Sequence, residues 1–166
     1  AWLIELYRSR GDRARLGATL IAHAATLSGR ARAEVLREAS PLMAAAEREV
    51  VDEEILVLDP ADDRARDRII TRIRASGDED RLLERLEREL ERASATLRGA
   101  YARELARMAH RKKDLPRARR AYEAALESTP ALDAARGLLS VVEREGTTGD
   151  IAALLESAAA DPRLPH

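Results

Sequence analysis

The sequence has no cysteine and no phenylalanine, and aromatic residues make up only 2% of it. Without cysteine there are no disulfides and no thiolate metal sites, and the redox compartment is left open. Scarce aromatics remove much of what strands are usually built from. No apolar run approaches the ~20 residues of a membrane span, and no secretory signal is visible. An excess of one charge is missing too. A net charge of −1 gives no bulk attraction to nucleic acid or to a membrane surface. The opening stretch, AWLIELYRSRGD, lacks an initiator methionine and already follows a helix-like pattern, as in a segment of a longer protein.

What remains is aliphatic and charged: 45% hydrophobic, 36% charged, over 166 residues. That length is enough for one domain with a sizeable core. The apolar mass is Ala, Leu, Ile and Val, and the cations are arginine apart from Lys112 and Lys113. Ala, Leu, Glu and Arg are strong helix formers, so the composition reads as all-α. Its aliphatic content and near-neutral charge argue against disorder. The abundance of Ala and Arg also fits a GC-rich bacterial genome.

Helix stops recur along the chain. Gly11-Asp12, Gly77-Asp78, Lys113-Asp114 and Gly149-Asp150 form one series, at spacings of 66, 36 and 36 residues. Asp59-Pro60, Thr129-Pro130 and Asp161-Pro162 form another, each ending an aliphatic run where a helix must stop before proline. Two alternating marks with helix-length segments between them mean paired helices. The expected helices span 1–10, 12–27, 30–39, 42–57, 62–76, 79–92, 95–112, 115–128, 131–145 and 149–160. Apolar stripes at helical spacing support them: Ile69, Ile70 and Ile73; Leu82, Leu83, Leu86 and Leu90; Leu105, Met108 and Ala109; Ala118, Tyr122, Ala125 and Leu126. No stretch alternates long enough for a sheet. Between Asp80 and Lys113 the break is expected near Ser94 to Thr96, residues that favour caps and turns. At Ser40-Pro41, Ser40 is expected as an N-cap with Pro41 at the first helical position.

This arrangement resembles the tetratricopeptide repeat family, whose helix-turn-helix units of roughly 34 residues stack side by side. Residues 99–130 carry the resemblance best, through Leu105, Ala106, Lys113-Asp114, Ala118, Tyr122, Ala125 and Pro130. Residues 63–93 contribute Ile69, Gly77-Asp78, Leu82 and Leu86; the N-terminal unit contributes Leu3, Tyr7, Gly11-Asp12, Leu16 and Leu20. Residues 131–162 contribute Leu139, Gly149-Asp150, Leu154 and Asp161-Pro162. Residues 29–60 fit poorly, because Arg48 and Asp52 stand where the motif has small residues. The resemblance implies a right-handed α-solenoid of stacked antiparallel hairpins: a single repeat domain with units near 1–28, 29–60, 61–93, 94–130 and 131–162. Stacking gives each hairpin a neighbour against which to bury its stripe. Ala106, Ala118 and Ala125 let helix axes approach closely.

Catalytic patterns are weak. His23, His110 and His166 have no second histidine at metal-ligand spacing. His23, within LIAHAATL, reads as a core or interface histidine. No serine has nucleophile-elbow surroundings. GTTG at 146–149 lacks the lysine of a phosphate loop and reads as a turn. Asp78-Glu79-Asp80 reads as a helix start favoured by the dipole, and Asp52-Glu53-Glu54 as a solvated face. The expected function is therefore non-enzymatic, with no catalytic, metal or cofactor residue.

In the resembled family, the first helix of each hairpin lines a concave groove that holds a partner. Carried over, those positions fall on Arg64, Asp67, Arg68, Thr71 and Arg74, and on Ala100, Arg103, Glu104, Arg107, His110 and Arg111. Glu5, Arg8 and Arg144 fall on the outer units. Arginine dominates the set, and guanidinium groups read carboxylates bidentately. The implied partner is a protein or peptide, with an acidic segment as the sharper expectation and an uncharged one as its competitor. Nucleic acid is the rival class, through HRKKDLPRARR at 110–120, although single-strand binding also calls for stacking aromatics. Self-association through exposed repeat ends, giving a homodimer, is the third. Arg117, Arg119 and Arg120 lie off the apolar stripe and are expected on the outer, solvent-facing side.

Overall fold

A computed structural model describes residues 2–128 and 131–145. These form nine α-helices and one short 3-10 turn, with no strand among the described residues. They are α1 (Trp2–Arg10), α2 (Arg13–Ala24), α3 (Gly29–Ala39), α4 (Ala45–Leu58), α5 (Asp63–Ser76), α6 (Glu79–Leu90), α7 (Ala95–Arg111), α8 (Leu115–Ser128) and α9 (Leu132–Glu145); the 3-10 turn, Ser40–Leu42, lies between α3 and α4. The all-helical reading holds, and consecutive helices pack on one another from α1 to α4 and from α6 to α9. The expected stops Thr129-Pro130, Gly149-Asp150 and Asp161-Pro162, the helix at 149–160, the GTTG turn, Leu154 and His166 lie outside the described residues.

The chain divides into two compact units, Ala1–Ala75 and Ser76–His166. In the first, Leu16 and Leu20 of α2 pack with Ala39, Ile4 and Tyr7. Ala24, Leu36, Val51, Ile55 and Ala65 form a second cluster that joins α2 through α5. Ile69, Ile70 and Ile73 are buried along α5. In the second unit the core is Leu82, Leu83 and Leu86 of α6, Leu105, Ala106, Met108 and Ala109 of α7, Ala118, Tyr122 and Ala125 of α8, and Leu138, Val141 and Val142 of α9. Each fully buried Leu or Ile contributes roughly 1.5–3 kcal/mol over an exposed one. Ala106, Ala118 and Ala125 are completely buried, as the close approach of helix axes requires.

The three Asp turns share one construction. Gly11, Gly77 and Lys113 have φ of +66°, +74° and +62°. This left-handed residue ends one helix, and the Asp that follows caps the next. Asp12, Asp78 and Asp114 accept from the N–H of Arg15, Arg81 and Arg117 at 3.1, 3.0 and 3.2 Å. In two turns the backbone bonds repeat as well. Gly11 N–H donates to Arg8 C=O and Asp12 N–H to Tyr7 C=O; Lys113 N–H donates to His110 C=O and Asp114 N–H to Ala109 C=O. Lys113 thus holds a conformation that glycine holds elsewhere.

Two other turns use an arginine instead. Arg48 Nε donates to Ser40 C=O at 3.0 Å, and its Nη2 to Pro41 C=O at 3.5 Å and Met43 C=O at 2.9 Å. Arg98 does the same at the same offsets, to Leu90 at 2.8 Å, Glu91 at 3.4 Å and Ala93 at 3.3 Å. Each satisfies carbonyls that a terminating helix leaves orphaned. The break between α6 and α7 falls here, with Ser94 at the N-cap position as the sequence implies.

Several expectations need correcting. Ser40 is not an N-cap: α4 begins at Ala45, and the Ser40 hydroxyl donates to Asp52 Oδ1 at 2.6 Å. Pro41 accordingly sits in the 3-10 turn. Asp52 is not on a solvated face but fully buried. His23 is exposed, because α2 turns Leu16, Leu20 and Ala24 inward instead. Arg117 and Arg119 are half-buried in ion pairs, and only Arg120 of that trio is exposed.

Candidate functional site

Seven residues were singled out by sequence: Arg64, Arg68 and Arg74 on α5, and Arg103, Arg107, His110 and Arg111 on α7. Arg64 and Arg74 are exposed. Arg68 is half-buried and engaged: its Nε and Nη2 lie 3.0 and 2.7 Å from Asp52 Oδ1. The α5 set belongs to the first unit and the α7 set to the second.

On α7 the spacing of Arg103, Arg107 and Arg111 is four residues, so they form one row with steps of about 6 Å. Arg103 is half-buried and makes no ion pair with a described residue. Arg107 and Arg111 are exposed, and their pairs are long: 3.8 Å to Asp133 of α9 and 3.5 Å to Glu79 of α6. Exposed pairs of this kind contribute roughly 0–1 kcal/mol, so a ligand carboxylate can displace them.

His110 has a different setting. Its ring stands edge-on to Tyr122, 6.3 Å between centroids and 89° between planes, and Nε2 is buried with no hydrogen bond to a described residue. Burial pushes the Tyr122 hydroxyl above its usual range; the Arg107 charge opposes this and Asp133 adds to it. Gly137 of α9 closes over the same ring. A Cβ there would lie 2.3 Å from Tyr122 Cζ. His110 and Tyr122 therefore form the packed base of the α7 row.

The basic stretch at 110–120 is largely neutralised within its own unit. Lys112 bonds Asp80, which raises the lysine and holds the Asp80 carboxyl below its usual range. Arg117 pairs with Glu87 at 3.3 Å and Asp114 at 3.4 Å. Arg119 pairs with Glu123 at 3.1 Å and Glu145 at 3.2 Å.

Sequence reasoning missed a polar core in the first unit. Asp52 accepts from the Ser40 hydroxyl and from Arg68, with Arg72 Nη2 at 3.4 Å and Arg72 also 3.7 Å from Glu49. Arg66, only 1% exposed, pairs with Asp63 at 2.6 Å and donates to Pro60 C=O. In the second unit Arg85 and Glu89 form a buried pair at 2.9 Å. The one available signal was that Asp52 occupies a position where the repeat pattern has a small, inward residue.

Among the described residues no three His, Asp or Glu side chains converge as metal ligands, and no helix is long and apolar enough to cross a membrane. Neither a protein-family model nor a curated protein matches the sequence.

Proposed function

We propose that the chain is a non-enzymatic scaffold of tetratricopeptide-like hairpins, stacked as a right-handed solenoid, that binds an acidic peptide or protein segment along the arginine row of α7. The observation that carries this reading is the row Arg103, Arg107 and Arg111. Arg103 makes no ion pair with a described residue, and Arg107 and Arg111 are held only by exposed pairs at 3.8 and 3.5 Å. Its three groups span about 12 Å of helix, enough for several carboxylates on an extended segment. The all-helical content and the recurring Gly/Lys-Asp turns support the repeat reading. The internal neutralisation of Lys112, Arg117 and Arg119 favours a carboxylate partner over a polyphosphate backbone, which needs many uncommitted cations at once.

The test is fluorescence anisotropy with acidic, neutral and basic peptides of equal length, on the wild type and on Arg103→Glu/Arg107→Glu. The acidic peptides should bind the wild type, weaken with salt, and lose at least about tenfold in affinity with the variant. Equal binding to both proteins, at unchanged helicity, would sink the reading.

A further inference from the structure

Three helices of the second unit converge on the phenol of Tyr122 in α8. His110 of α7 stands edge-on to the ring, and Gly137 of α9 lies against it. A Cβ at Gly137 would come within 2.6 Å of the Tyr122 Oη, so the hydroxyl sits directly against the α9 backbone. The residue is only 5% exposed, yet its oxygen is not sealed from solvent and makes no hydrogen bond to a described residue.

Arg107 precedes His110 by three residues and Asp133 precedes Gly137 by four, so each lies one turn from the group that touches the ring. The two meet there: Arg107 Nη1 is 3.8 Å from Asp133 Oδ2, and both side chains are 59% exposed. Their charges reach the Tyr122 hydroxyl, which burial keeps protonated. The pair is loose. A carboxylate fully engaged by a guanidinium sits at about 2.7–2.9 Å, and Asp133 stops short of that. It lies in the first turn of α9, where the helix dipole favours a carboxylate with or without the arginine. Of the neighbouring charges, Glu104, one turn before Arg107, is half-buried and already engaged, and Arg136, three residues after Asp133, is exposed and adds a cation.

We propose that Arg107 and the Tyr122 hydroxyl form a seat for one carboxylate, which Asp133 guards loosely in the free protein and which an Asp or Glu side chain of the acidic segment takes by displacing it. This rests on the reading of the α7 row as the binding surface. The guanidinium supplies charge, and the hydroxyl donates a directed hydrogen bond, so two donors from different helices serve one carboxylate. A ligand carboxylate is not tethered to α9 and can approach both donors more closely than Asp133 does. Once displaced, Asp133 keeps the dipole of its own helix, so its release costs little. Asp133 is thus an internal competitor of the ligand, and Tyr122 a specificity-determining residue of the row.

The test reads anisotropy with the same acidic and neutral peptides on the wild type, Tyr122→Phe, Asp133→Asn, Arg107→Gln and Arg107→Gln/Asp133→Asn. Tyr122→Phe keeps the ring that packs on His110 and Gly137. It should weaken the acidic peptide about three- to tenfold at unchanged helicity and leave the neutral peptide as it was. Asp133→Asn should tighten the acidic peptide about two- to fivefold, and on the Arg107→Gln background that gain should vanish. Acidic peptides that bind none of these proteins would defeat the α7 row itself. Where they do bind, indifference to Tyr122→Phe, or an affinity that Asp133→Asn leaves unchanged or lowers, overturns the seat alone. A gain from Asp133→Asn that persists without Arg107 is a general charge effect and overturns it too.

Discussion

Ser40 and Asp52, twelve residues apart and both fully buried, meet through a hydroxyl-to-carboxylate hydrogen bond of 2.6 Å. The carboxylate also holds Arg68 and Arg72, so one acidic side chain ties the turn after α3 to α4 and α5. Removing one partner from a buried ionic group strands the others. Asp52→Ala should cost about 3–5 kcal/mol. Ser40→Ala removes only a neutral donor and should cost about 1–2 kcal/mol. Urea unfolding of both variants checks this order; a larger loss at Ser40 would contradict it.

Lys113 is the residue at which the three Asp turns differ in sequence but not in shape. A left-handed residue with a side chain costs roughly 1–2 kcal/mol, and glycine's greater freedom in the unfolded chain returns part of that. Lys113→Gly should therefore stabilise the protein by about 0.5–1 kcal/mol, and Gly77→Lys should destabilise it by a similar amount. An unchanged or lower urea midpoint for Lys113→Gly would refute this.

Much of the fold was legible because helix stops are local chemistry. The helix expected at 115–128 is Leu115–Ser128, and the one expected at 62–76 is Asp63–Ser76. Turns written in Gly, Asp and Pro announce themselves, and the leucine and isoleucine stripes point inward as periodicity requires. The polar core was not legible. A periodic reading sends charged residues outward, whereas Asp52, Arg66, Arg85 and Glu89 are buried because each found a counter-charge. Some of those partners lie on the same helix, but Arg68 and Arg72 reach Asp52 from 16 and 20 residues away. Only three-dimensional packing decides that. The same holds for the candidate site: the choice of Arg103, Arg107 and Arg111 comes from the tetratricopeptide resemblance, their common face follows from their spacing, and the commitment of Arg68 to Asp52 follows from neither.

Asp62 gives the first unit an acid-sensitive joint. It bonds Arg37 and accepts from the Ala65 N–H at 2.8 Å at the start of α5. Burial pushes its carboxyl up, but the Arg37 bond, the Ala65 N–H and the charges of Arg37 and Arg68 outweigh this, and the net shift is downward. A depressed carboxyl binds fewer protons folded than unfolded, so its contribution is complete above the unfolded value near pH ~4 and vanishes as pH falls through the folded value. Asp62→Asn keeps the cap and removes the charge. Its stability deficit should be constant at neutral pH and shrink below pH ~4. Thermal unfolding across that range, giving a deficit that grows in acid, would reverse the assignment.

Gly137 faces Tyr122 at a distance no methyl group can share. Gly137→Ala should cost about 1–3 kcal/mol through overpacking, despite alanine's better helix propensity. With Tyr122→Leu the obstructing ring is gone, and the same substitution should become neutral or stabilising. A double-mutant cycle by denaturant unfolding measures that coupling, and additive effects would show that the ring is not the obstacle.

Arg48 and Arg98 turn the distance between two helices into a fixed length of chain. Each guanidinium reaches back five, seven and eight residues to the same set of carbonyls. Adding one residue between Ser40 and Arg48 would swing the arginine by about 100° around α4 and away from all of them. These two connections can vary in composition while their length stays set by the span of one side chain. Insertions into the chain are confined to places where no such ruler is laid.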